Sequence, residues 1–239
     1  MVFRELPPAW RLPLLLMAMA SLLIGVLGGL ARLALEVPAF AQVRASGHGA
    51  LMITAFFGTV ISLERAVALH RFWPYLGPFF AGTGGIALLA QGPWWLPPVL
   101  FCLAGAVLLA ASLQVHRQLP ALFTFTLLFG AAAWLAGNIA WLGGVEIGTA
   151  ALFWMSFLVL TIAGERLELT RFLPPQAVGQ KIFIALLAVI ATALVLLPLS
   201  TESGSRLLAG AFLVLAGWLL RYDIARRTVR QSGLTRFVA

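Results

Sequence analysis

Residues 12–31 read LPLLLMAMASLLIGVLGGLA, twenty consecutive positions without a charged side chain, bounded by Arg11 and Arg32. A helix rises about 1.5 Å per residue, so this run covers about 30 Å, the depth of a bilayer's hydrocarbon core. The rest of the chain has the same character. Of its 239 residues, 62% are hydrophobic and 10% charged, against about 45–50% and about 25% in an ordinary soluble domain. A water-soluble fold is excluded, and the class is all-α, an integral membrane helical bundle.

Hydropathy and chain breakers divide the sequence into eight expected spans at 12–33, 46–69, 75–91, 94–115, 120–143, 147–169, 178–199 and 205–222, with seven as the alternative count. Val37-Pro38, Gly92-Pro93, Gly143-Gly144, Pro174-Pro175 and Pro198 interrupt or end the apolar runs. Eight spans leave no room for a separate soluble domain, so 1–239 reads as one transmembrane domain with a basic cytoplasmic tail at 223–239. Ala39-Phe40-Ala41 looks like a signal cleavage site. The preceding apolar run, however, exceeds the about 7–15 residues of a signal core, and it reads as a span.

Short cytoplasmic loops collect Lys and Arg. With the N-terminus inside, all 16 bases except Arg32, Arg44 and Arg206 fall on inner segments. Both termini are therefore expected in the cytoplasm, in a bacterial inner membrane. The tail bases Arg226, Arg227, Arg230 and Arg236 suit an anionic leaflet rather than nucleic acid.

Two segments repeat a pattern: TVISLER at 59–65 and LTIAGER at 160–166, with Arg11-Leu12-Pro13 and Gln118-Leu119-Pro120 in corresponding places. A spacing of four spans preserves orientation, which suggests a parallel four-plus-four duplication with halves 1–117 and 118–222. Carboxylates near the hydrocarbon boundary need pairing or hydration. Glu64, Arg65, Glu165, Arg166 and Glu168 accordingly read as structural ion pairs, a cytoplasmic clasp between the halves, with proton uptake as the alternative.

Three histidines are present. His70 and His116 lie beside Arg71 and Arg117 at inner boundaries, where an amphipathic ring needs no ligand. His48 stands instead at the outer start of the second span, in Ser46-Gly47-His48-Gly49-Ala50-Leu51-Met52. Neutral imidazole ligates haem iron or copper. Met52, one turn on, offers a soft sulfur suited to Cu(I). A main-chain-bonded histidine at a helix start is the alternative.

The stretch from His48 to Met52 resembles the His-Gly-x-x-Met segment in the second span of the catalytic subunit of haem-copper oxidases, where the histidine is an axial haem ligand. The layout also resembles, more distantly, the NnrS family of haem- and copper-containing membrane proteins linked to nitric oxide. Segments 48–69 and 157–169 are similar to an uncharacterised family of bacterial multispan proteins. The resemblance implies one b-type haem on His48, in electron transfer or nitric oxide or oxygen handling. There is no later His pair, His trio or CxxCH motif, so a binuclear oxygen-reducing centre is not expected. Met155 is the best second axial ligand within the chain; an open position or a His48 of another protomer are the alternatives.

Arg44 and Arg32 stand where propionates would pair, although Arg44 would equally pair with Glu36. Gly47 and Gly49, facing Gly25, Gly28 and Gly29, would form a slot for the macrocycle, a spacing that also serves ordinary helix packing. Trp134, Asn138 and Trp141 share one side of the fifth span and read as an interfacial aromatic group or part of that lining. Copper handling or transport through His48 and Met52, and a non-catalytic membrane subunit, are the competing functions. The partners expected are the bilayer and either a second copy or a redox subunit. Cys102 is the only cysteine, and no GxSxG, P-loop, GxGxxG or HExxH motif is present.

Overall fold

The computed structural model of the chain describes residues 6–170 and 177–222. Arg4, Arg171, the Pro174-Pro175 break and the expected tail lie outside the described residues. Described residues form helices and turns with no strand. The long helices are α1 (Pro8–Arg32), α3 (Gly58–Leu69) with a π-helical run at Ala50–Phe57 leading into it, α5 (Leu96–Gln118), α6 (Leu122–Leu142), α7 (Ile147–Thr170), α8 (Ala177–Leu196) and α9 (Thr201–Tyr222). Two shorter ones are α2 (Ala39–Gln42) and α4 (Leu76–Leu89).

Among the described residues, seven helices are long and apolar enough to cross a membrane, counting Ala50–Leu69 as one. Large apolar side chains such as Leu16, Leu23, Leu213 and Leu220 face outward, as they must where the solvent is lipid. The protein is a multi-pass membrane helical bundle.

The third expected span, 75–91, is shorter than read. It forms the 14-residue α4 behind a 3₁₀ turn at Trp73–Tyr75, because Gly92-Pro93 ends the run and Ala90 and Gln91 leave the helix, Gln91 at φ 53°. Tyr75 packs with Leu14 and Leu63, and the carbonyl of Leu89 meets Arg44.

Contacts divide the chain into two units, Met1–Leu119 with Ala131–Leu158, and Pro120–Gly130 with Val159–Ala239. The division passes between residues 119 and 120, and again within α6 after residue 130 and within α7 after residue 158.

In the first unit α4 sits among α1, the Ala50–Leu69 segment and α5, and its glycines make this close fit possible. A Cβ on Gly82 would lie 2.9 Å from Met17, on Gly84 2.7 Å from Phe101, and on Gly85 2.5 Å from Ser21 Oγ and 2.7 Å from the Ala55 Cβ. Gly85→Ala is therefore expected to overpack this contact and cost about 1–3 kcal/mol, read as an earlier unfolding midpoint in an SDS titration. An unchanged midpoint would show that α1 and α4 can separate freely. The core below is aromatic, with Trp134, Trp154 and Phe157 buried among Ala50, Ala81, Ala104 and Ala131.

In the second unit α8 and α9 pair. Phe183 and Trp218 have ring centroids 4.8 Å apart, and the Trp218 indole N–H donates to the Gly179 carbonyl at 2.8 Å. Elsewhere in this unit Gly164 makes room for Leu127, which a Cβ there would meet at 2.8 Å.

Candidate functional site

His48 follows the 3₁₀ turn Ala45–Gly47 and precedes the π-helical run. Its half-buried ring lies on α1, with Nδ1 2.7 Å from the Gly25 carbonyl oxygen. A carbonyl only accepts, so Nδ1 carries the proton and Nε2 the lone pair. Among the described residues Nε2 has no hydrogen-bond partner, and it is not fully buried. Bonding one ring nitrogen to a main-chain carbonyl is how proteins orient a metal-ligating imidazole.

Two absent side chains let the ring reach the backbone. A Cβ on Gly29 would stand 2.7 Å from His48 Cε1, and one on Gly25 3.0 Å from Met52 Sδ. Gly28 meets the Arg44 carbonyl, 3.3 Å from where its Cβ would be. The expected slot is thus filled by His48, Met52 and the Arg44 main chain. The glycines serve helix packing, and no macrocycle fits between α1 and the His48 segment.

The other expected ligands do not converge. Met52 packs against Gly25 of α1, the residue whose carbonyl accepts from Nδ1. Met155 is 44% exposed on α7. Gly49 faces Ala151, and Gly47 faces Leu88 at 3.5 Å. No group of three or more His, Cys, Asp or Glu suited to a metal occurs among the described residues. Of the residues expected to hold a haem, the donor fits as a single oriented imidazole and the cradle does not.

Arg44 does not pair with Glu36. Its Nε and Nη2 donate to the carbonyl of Leu89, the last residue of α4, and its Nη1 to that of Phe40. Residue 44 thereby caps helix α4 at its last carbonyl, that of Leu89, while the carbonyls of Ile86, Ala87 and Leu88 accept from the N–H groups of Ala90, Gly92 and Gln91. Beside it lies a cavity of about 380 Å³ lined by Val43, Arg44, Ser46, Gly47, Leu51, Leu88, Gln91, Trp141 and Ile147. The faces explain the separation: 47 and 51 look into the cavity, while 48 and 52 look at α1.

Trp134 and Asn138 are core residues, both fully buried, rather than interfacial ones. Trp134 lies over Gly58 and stacks on Phe157 at 5.1 Å. The Asn138 amide donates to the Phe101 carbonyl at 3.0 Å and accepts from the Thr54 hydroxyl at 3.4 Å, which ties α6 to α5 and to the π-helical run. The indole N–H groups of Trp134 and Trp154 are buried without an acceptor among the described residues. Trp141, a turn beyond Asn138, reaches the cavity.

His70 is exposed in a left-handed conformation that ends α3, φ 50°. His116 and Arg117 occupy the last turn of α5, where positive charge complements the helix dipole. In the first unit Glu64 is exposed and borders a groove of about 500 Å³ with Arg11, while Arg65 is half-buried. In the second unit Glu165 is exposed, and Arg166 and Glu168 are half-buried.

Ser46, Leu88 and Gln91 are site residues that the sequence reading missed. Gln91, a lone amide among Ala90, Gly92 and Pro93, was the signal available for them. No curated protein and no solved structure matches the chain. Residues 11–239 match the family model described as Domain of unknown function (DUF8744), and the chain belongs to that family.

Proposed function

We propose that this chain is a multi-pass protein of a bacterial inner membrane, both termini in the cytoplasm, that presents His48 at its outer end as the axial ligand of a b-type haem. The observation that carries the reading is the Nδ1–H bond to Gly25, which holds the ring in one tautomer and leaves the Nε2 lone pair without a hydrogen-bond partner among the described residues. Because the glycine groove is full, Gly25 and Gly29 would hold no part of the macrocycle, and His48 would be the residue that binds it. One imidazole is this chain's whole contribution among the described residues, so the rest of the site comes from a second copy or a partner subunit. A haem held in this way supplies one-electron redox chemistry or diatomic gas binding.

For its part the chain orients the imidazole and lowers the polarity around it. Electron transfer or nitric oxide or oxygen handling follows from that chemistry, and copper on the same imidazole is the closest variant.

The filled groove favours a second reading, a non-catalytic membrane subunit in which His48 only pins its segment to α1. An absorption spectrum of full-length protein purified in mild detergent separates the two. A Soret band with sharpened bands on dithionite reduction is expected, and a colourless preparation after expression with excess haem supports the packing reading instead.

A further inference from the structure

We propose that the cavity beside Arg44 binds the anionic headgroup of an amphiphile, a phosphate-bearing molecule with an apolar tail. The inference is independent of haem, since the cavity opens on a different side of the segment from His48.

The charge argument comes first. A guanidinium has five N–H groups, and Arg44 spends three of them on the Leu89 and Phe40 carbonyls. Two remain. Carbonyls neutralise no full charge: the C-terminal dipole of α4 supplies the equivalent of about half an elementary charge. Glu36 and Glu146 are the carboxylates nearest in sequence to the residues of this end, and both are exposed without an ion pair to Arg44 among the described residues. A half-buried cation in apolar surroundings is costly until a counter-ion arrives.

The shape argument comes second. Ser46 and Gln91 stand beside Arg44 as polar groups, while Leu51, Leu88, Trp141 and Ile147 make the remaining wall apolar. One charged corner and an apolar wall match an acid group with hydrocarbon attached. At about 380 Å³ the space lies within the range of small-molecule pockets, about 300–1,000 Å³. Arginine held in a fixed orientation suits the paired oxygens of a phosphate.

The test uses full-length protein in a neutral detergent, with dihexanoyl phosphatidic acid, dihexanoyl phosphatidylcholine and inorganic phosphate as probes, read by thermal unfolding and tryptophan fluorescence. Saturable binding of the phosphatidic acid at least tenfold tighter than the phosphatidylcholine is expected. Arg44→Gln should weaken it tenfold or more. Ser46→Phe, which fills the cavity without touching the Arg44 carbonyl bonds, should do the same and keeps the test decisive if Arg44→Gln fails to fold. Arg32→Gln, at an exposed base outside the cavity, should leave the affinity unchanged. Equal affinity for the zwitterionic lipid, full competition by inorganic phosphate at the same concentration, equal loss in Arg32→Gln, or unchanged binding in Ser46→Phe would each overturn the proposal.

Discussion

Full-length protein carrying His48→Ala is expected to lose the Soret band of the wild type entirely, because the reading rests on the His48 Nε2, which has no hydrogen-bond partner among the described residues. The loss must be separated from misfolding. Truncation also removes the bond to the Gly25 carbonyl, so the variant should unfold somewhat earlier while keeping its helical signal. Gly29→Ala supplies the complementary test. Its new methyl would stand 2.7 Å from His48 Cε1 and 2.9 Å from Nδ1, which pushes the imidazole off the carbonyl without deleting it. A weakened or shifted Soret band is expected there, a signature that simple loss of packing would not produce. A wild-type spectrum surviving His48→Ala would end the axial-ligand reading.

The largest effect on stability is expected at Trp134. Its side chain is fully buried, stacked on Phe157 and seated over Gly58, so Trp134→Ala should cost about 3–5 kcal/mol. Trp134→Phe should cost far less, within about 1 kcal/mol. The indole N–H has no acceptor among the described residues, and removing an unsatisfied buried donor recovers about 1–3 kcal/mol, which offsets the smaller ring. Asn138, one turn away, behaves oppositely. Its amide is bonded to the Phe101 carbonyl and to Thr54, and Asn138→Leu should cost about 1–2 kcal/mol, the upper end for hydrogen bonds between membrane helices. SDS unfolding titrations of the three variants measure this order. Equal damage from Trp134→Phe and Trp134→Ala would mean that the indole N–H is bonded after all.

Both results bear on how the first unit works as a scaffold. Its small residues let α1, α4 and the His48 segment approach closely, and its one long π-helical run carries Thr54 to Asn138. Such π geometry is uncommon and tends to occur at functional sites. Here it begins two residues after the imidazole and ends at Gly58, where Trp134 fills the space a side chain would take.

Span existence was legible from the sequence, since a run such as 12–31 has no stable place except lipid and hydropathy is a local property. Helix-breaking pairs located the ends of most spans within a few residues. The short α4 was harder to read: its glycines weaken the helix locally, and only neighbours packed onto them hold it in place. His48 was legible as an exceptional residue because ionisable groups are sparse in so apolar a chain. Whether Gly25 and Gly29 frame a slot or receive a side chain was not, because both uses demand the same absence of Cβ; the tertiary structure decided it by laying His48 and Met52 there. Arg44 likewise read as a propionate or carboxylate partner from its charge alone, and its actual bonds to Leu89 and Phe40 depend on where the chain ends α4. Composition and hydrophobic order determined that this protein lives in a membrane as helices. Close packing between helices, which no local pattern encodes, decided which nitrogen of His48 is free and where a cavity remains.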